Sequence, residues 1–173
     1  LGKKYLRRIK MGERLETYDG NGNLISVVDN RVISDIVETL KDQITDYRNN
    51  SILDNTTVWF NGYEFDSDPV SRQNIAGTVT FVLCGQTLPG NFVWRDAHNN
   101  NISQNNSSMV QFGLLMAGYV EIVYATSWAL KANLDTIAAQ NLDNDTIKAQ
   151  LDVFDITANW TSNDLTPSVP HNY

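Results

Sequence analysis

The chain has 173 residues, 42% of them apolar, and a formal charge of -7 from 20 acidic against 13 basic side chains. Such a chain can build one ordinary domain, or a small domain with an extension. The negative balance disfavours a general nucleic-acid binder, which needs a positive face. Cys84 is the only cysteine, which excludes an intrachain disulfide. It lies in the apolar run Thr80-Phe81-Val82-Leu83-Cys84 and is expected to be a buried thiol.

No apolar run reads as long enough to span a bilayer. No apolar segment follows the basic start Leu1-Gly2-Lys3-Lys4, so no signal peptide is expected. The stretch from Lys3 to Lys10 is locally basic and suits either phosphates or acidic protein surface. The chain holds 20 asparagines, so the Asn-X-Ser/Thr triplets at Asn55, Asn101, Asn105, Asn106, Asn144 and Asn159 read as composition, not as glycosylation sites.

In chain order, residues 15 to 28 predict a β-hairpin, with Leu15–Tyr18 and Leu24–Val28 flanking Asp19-Gly20-Asn21-Gly22-Asn23. The loop is no calcium loop, because Leu24 stands where glycine must bend and Asn30 where a bidentate glutamate belongs. From Asn30 the period becomes helical, with Asp29 or Asn30 as cap. Ile33, Val37, Leu40, Ile44 and Tyr47 make a narrow stripe at spacings of four, three, four and three. It can pack on its own domain or associate with copies of itself. Asn49-Asn50-Ser51 and Asp54-Asn55 read as the end of that helix and a domain boundary.

Thr57–Phe60 and Tyr63–Phe65 around Asn61-Gly62 predict a tight hairpin. Asp68 is placed to cap a helix with Pro69 in its first turn, burying Ile75, Val79 and Val82 or Leu83. Gly77, Thr78 and Thr80 make that helix dependent on packing. Pro89-Gly90 turns the chain into a strand at Phe92-Val93-Trp94, followed by a polar turn through Ile102. The main helix is expected from about Ser108 to Ala139, bent near Gly113 or Gly118, with a broad buried face. Asp143–Thr146 caps a short helix carrying Ile147, Leu151 and Phe154. The tail from Asn163 to Tyr173 reads as extended and held by a partner.

No catalytic, cofactor-binding or metal site is assigned. Glu64, Asp66 and Asp68 are close enough in sequence for a divalent ion, but a hairpin end feeding a helix cap explains them with less. Asp96 and His98 are the nearest approach to an acid/base pair, although Arg95 and Asp96 read better as a local brace. Lys131 follows Trp128 by three positions, so its stem can lie over the ring. No nucleophile triad, zinc motif or phosphate-binding glycine loop is present. Trp59, Phe65, Trp94, Trp128 and Trp160 are expected as structural core or rim residues.

Several of these residues carry a resemblance. They are the Asn61-Gly62-Tyr63 hairpin with Phe65-Asp66, the start Ser71–Ile75, Phe92–Asn99, and Tyr124–Lys131. In their order and spacing the chain resembles a small domain of unknown function found in bacteriophages and prophages, commonly attached to tail-fibre or other tail proteins. The likeness covers about residues 57 to 140, reaching toward Trp160 through Asp155–Trp160. Gln104–Ser108 departs from the more hydrophilic, glutamate-containing helix start usual there.

The expected architecture is α+β: an N-terminal hairpin and amphipathic helix, then a small domain of short antiparallel strands packed on a long helix and shorter helices. Residues 1–50 would form an attachment or oligomerisation arm, with Ile33, Val37, Leu40, Ile44 and Tyr47 as its interface; 51–162 the α+β domain; 163–173 the tail. The resemblance implies a non-enzymatic structural or adaptor component of a phage tail, at the baseplate or a fibre junction. Its partners would be other tail proteins or further copies in a dimer or trimer, with no cofactor, no membrane and no nucleic acid. It would be made in the host cytoplasm and reside in the virion. A tail-fibre assembly chaperone and a carbohydrate- or receptor-binding module are the alternatives.

Overall fold

The computed structural model describes residues 5–9, 14–163 and 165. The chain begins with strands β1 (Tyr5–Ile9), β2 (Arg14–Tyr18) and β3 (Leu24–Asp29), then helix α1 (Ile33–Tyr47), which passes into a π-helical turn at Arg48–Leu53. A hairpin of β4 (Thr57–Phe60) and β5 (Tyr63–Asp66) leads to helix α2 (Pro69–Leu83). A second hairpin, β6 (Val93–Arg95) and β7 (Asn101–Ser103), precedes helices α3 (Asn106–Ala138) and α4 (Asn144–Asp152). The architecture is the expected α+β one.

Internal contacts divide the chain into two units, the first made of the described residues up to Gln43 with Lys131–Ile156, the second of Ile44–Leu130 with the described residues from Thr157 onward. The division falls within α1 and again within α3. The sequence-based boundary at residues 50 and 51 lies inside the π-helical turn, in the second unit.

The first unit carries the antiparallel sheet β1-β2-β3. Its hairpin β2–β3 lies where alternation placed it. β1 adds a third strand, with Tyr5 opposite Tyr18 and Ile9 opposite Arg14, in a stretch that sequence reading took only as basic. Lys3, Lys4 and Lys10 lie outside the described residues. Asp29 does not cap α1. Its carboxylate accepts from the Arg31 guanidinium at 2.6 Å, and Arg31 also reaches Asp152 on α4 at 2.7 Å. Lys148 of α4 donates to the Asp29 carbonyl at 2.6 Å. Charges so enclosed need their partners, because an unpaired one would lose its hydration without compensation. The Arg31 guanidinium holds Asp29 below the usual carboxylate range, and the two carboxylates push Arg31 up.

The second unit is built on aromatic packing. Phe112 of α3 stacks on Phe60 at 4.8 Å between ring centres and meets Phe65 at 4.9 Å, so both strands of the Asn61-Gly62 hairpin pack on the long helix. Asn61 and Gly62 take positive φ of 51° and 81°, which is why this pair can close a two-residue turn. Val58, Ile75, Met109, Met116, Tyr119 and Val123 complete the buried cluster. Asp68 accepts from the N–H groups of Val70 and Ser71 and starts α2 as expected, with Pro69 behind it. The fully buried Ser67 hydroxyl lies 2.8 Å from the carbonyls of Leu53 and Thr56. Arg72 bonds the carbonyls of Leu53 and Ser67 and the Asp54 carboxylate, and Tyr119 donates to Ile52 at 2.9 Å. These contacts consume the backbone groups that the π-helical turn leaves unpaired.

Several expectations are corrected. The α1 helix does not end at Asn49-Asn50-Ser51 but widens into the π-helical turn. Cys84 is exposed, since it follows the end of α2 on the side away from Ile75. Asp96 braces its loop through the N–H groups of His98 and Asn100 and the Asn100 amide, not through Arg95. The tail does not wait for a partner at its start: Asn163 accepts from Trp59, Leu165 donates to Trp59, and Leu165 is buried. The rest of the tail lies outside the described residues. Finally, α3 is long and apolar enough to cross a bilayer by length and composition, against the expectation that no segment was.

Candidate functional site

Neither group of polar residues considered from sequence forms a reactive centre. The His98 ring, 67% exposed, faces Glu64 at 3.1 Å and not Asp96. Glu64 also takes the Thr57 hydroxyl, while Asp68 is spent on its cap. Asp96 is held below the usual carboxylate range by the Asn100 side chain and by the backbone N–H groups of Asn100 and His98. Each carboxylate is thus committed to local geometry. Among the described residues no group of three His, Cys, Asp or Glu side chains converges as for a metal.

The stripe on α1 is largely spent inside the chain. Val37 and Ile44 are 4% and 0% exposed, and Ile33, Leu40 and Tyr47 are half-buried. Tyr47 packs on Trp160 at 5.8 Å. In the first unit a cavity of about 240 Å³ beside Leu40 is lined by Arg31, Ile36, Thr39 and Phe154. Its one guanidinium is already bonded to two carboxylates.

The unspent surface lies on α3. From Asn106 to Leu130 the helix carries one charge, Glu121. Its inner face, through Met109, Phe112, Met116, Tyr119 and Val123, is buried. A helix apolar all round belongs in an interior, yet only 28% of the most apolar stretch of α3 is covered. Leu114, Ile122 and Trp128 stand 65%, 51% and 63% exposed. Trp128, expected as core or rim, is therefore a surface residue, and its ring contact is with Tyr124 at 6.1 Å. Tyr124 in turn lies under the Arg48 guanidinium at 4.2 Å, a cation–π contact that fixes this end of the helix.

Along the outer face, Leu114, Gly118, Glu121, Ala125 and Trp128 follow one another at spacings of four, three, four and three. This is the same heptad period that the sequence showed in α1, here turned outward. The two glycines of α3 differ. A Cβ on Gly113 would meet Val79 of α2 at 2.4 Å, so Gly113 is where α2 and α3 touch. A Cβ on Gly118 would meet nothing within 4 Å. Beside the α2–α3 contact runs an apolar groove of about 580 Å³ lined by Ile75, Ala76, Val79, Leu114, Ala117 and Val120.

The signal for this seam was present in the sequence, but α3 is apolar on every side, and periodicity cannot then say which face is inward. The model of the family described as Domain of unknown function (DUF4376) matches residues 35–158. The chain belongs to the DUF4376 family. The match begins inside α1 and takes in everything from β4 to α4, a wider span than residues 57 to 140; the β1-β2-β3 sheet of this DUF4376 protein lies before it. No curated protein matches the chain, and no solved structure does.

Proposed function

We propose that this DUF4376 protein is a non-enzymatic structural or adaptor component of a bacteriophage tail, placed at the baseplate or a fibre junction and working through contacts with other tail proteins. The observation that carries the protein–protein part is the uncovered outer face of α3, apolar over Leu114, Ile122 and Trp128 and interrupted by one carboxylate. Apolar surface of this kind marks a contact site more often than a solvated face. The polar side chains fit the same reading, since Asp68, Asp96 and Arg72 are each committed to local structure. The tail placement rests on the resemblance of the hairpin, Phe92–Asn99 and Tyr124–Lys131 stretches to tail-associated phage domains.

The test is to purify tailed particles from the phage that encodes the chain and quantify it by mass spectrometry against a known tail protein. A fixed, stoichiometric copy number supports a structural role. Absence from particles, with co-purification of a fibre protein from the lysate, supports the chaperone alternative instead. Absence from both overturns the tail assignment.

A further inference from the structure

We infer that the outer seam of α3 pairs antiparallel with the same seam of a second copy of this chain. The first observation is Gly118. Glycine in a helix interior is destabilising relative to alanine, and such a residue usually marks a close approach. Gly113 has one within the chain, at Val79; Gly118 has none. Whatever approaches Gly118 comes from outside.

The second observation is size. At the five seam positions the large residues Leu114 and Trp128 alternate with the small ones Gly118 and Ala125, with Glu121 between them. In an antiparallel pair, the two kinds of heptad position face each other across the seam. With the two-fold axis level with Val123, Trp128 of one copy lies over Gly118 of the other and Glu121 over Ala125. Every layer then sets a large side chain against a small one, and the same layers repeat on both sides of the axis, as an isologous interface requires. A register with Glu121 facing Glu121 would bring like charges together; this one offsets them by two layers.

The third observation is area. The exposed parts of Leu114, Ile122 and Trp128 amount to roughly 350 Å² per copy. With the flanking alanines the pair buries on the order of 1,000 Å² in total, at the lower end of specific interfaces. The dimer is accordingly a micromolar one. A lipid bilayer would also cover apolar surface, but the inner face of α3 is held in the protein core by Phe112 against Phe60 and Phe65. The inference rests on the assembly reading only in needing protein–protein contact, and it says nothing of where in a particle the contact forms.

Sedimentation equilibrium of the full chain across about 1 to 200 μM tests it. The expected result is a monomer–dimer equilibrium in which Gly118→Leu and Trp128→Ala each weaken association at least tenfold. Thermal melts separate association from folding: Gly118→Leu fills open space and improves helix propensity, so its monomer should melt no lower than the parent. Glu121→Gln removes the one charge from the seam and should tighten the dimer. If the chain is monomeric throughout, or if its dimer is indifferent to Gly118→Leu and Trp128→Ala, the seam pairing is overturned, whatever the particle measurement gives. Weakening by Glu121→Gln, or binding of the chain to neutral phosphatidylcholine vesicles through Trp128, would overturn it in favour of a basic partner helix or a lipid surface. A dimer that behaves as expected, in a protein absent from particles, would leave the seam intact and sink the tail placement.

Discussion

Arg31 is the residue whose loss the first unit would feel most. It is tied to Asp29 and Asp152, with its own side chain and that of Asp29 each 10% exposed. Arg31→Ala leaves two carboxylates facing each other without their cation, and by the usual cost of breaking an enclosed pair it should destabilise by about 3 kcal/mol. Urea unfolding with a probe in the first unit measures this. The pH dependence has a definite sign. The folded-state pKa of Asp29 is lowered, so its contribution is present above the unfolded value of about 3.9 and is lost as pH falls through the folded value. The parent should lose stability below about pH 4, and Asp29→Asn should flatten that acid limb while lowering stability at pH 7. At the other end of the size range, Asp68→Ala removes the acceptor for two backbone N–H groups and should cost about 1 kcal/mol. Gly113→Ala places a methyl into Val79 and should cost about 1 to 3 kcal/mol, whereas Gly118→Ala should gain by its helix propensity.

At the scale of elements, what could be read from the sequence was what local chemistry decides. Asp68-Pro69 and Asp143 start helices because a carboxylate beside free N–H groups needs no distant partner. Asn61-Gly62 closes a hairpin because few other pairs accept positive φ at both positions. The elements that escaped were those decided elsewhere. β1 is a strand because β2 offers it an edge, while its own residues, with two arginines in five, carry no alternation. The π-helical turn exists because Arg72, Ser67 and Tyr119 take up the groups it exposes, and those residues lie 14 or more positions away. The stripe on α1 and the seam on α3 share one spacing, and only their surroundings separate a buried face from an open one. The absence of a reaction centre was legible in the same local sense, since Asp96 and Asp68 had turn and cap duties waiting beside them.

On the scale of the whole molecule, the end of the chain is part of the second unit's framework. Asn163 and Leu165 bond both backbone groups of Trp59, and Leu165 joins the core cluster. A chain ending at Ser162 should therefore remain folded but lose about 2 to 4 kcal/mol, from one buried leucine and two hydrogen bonds. Urea midpoints of the two lengths, at equal slope, test this.

Both units are assembled from stretches of chain that are far apart, and synthesis gives this a clock. Arg31 leaves the ribosome 121 positions before Asp152, the partner that completes its charge pairing. At bacterial elongation rates that interval is about 6 to 24 s. For all of it β3 and the start of α1 exist without α4, and Leu24, Ile25 and Val28, which stay exposed even in the finished fold, have no cover. The second unit closes later still, when Leu165 reaches Trp59. Nearly the whole chain must be made before either unit is whole, so the nascent protein is a client for holding factors through most of its translation, and slowing elongation would lengthen the exposure without helping it fold.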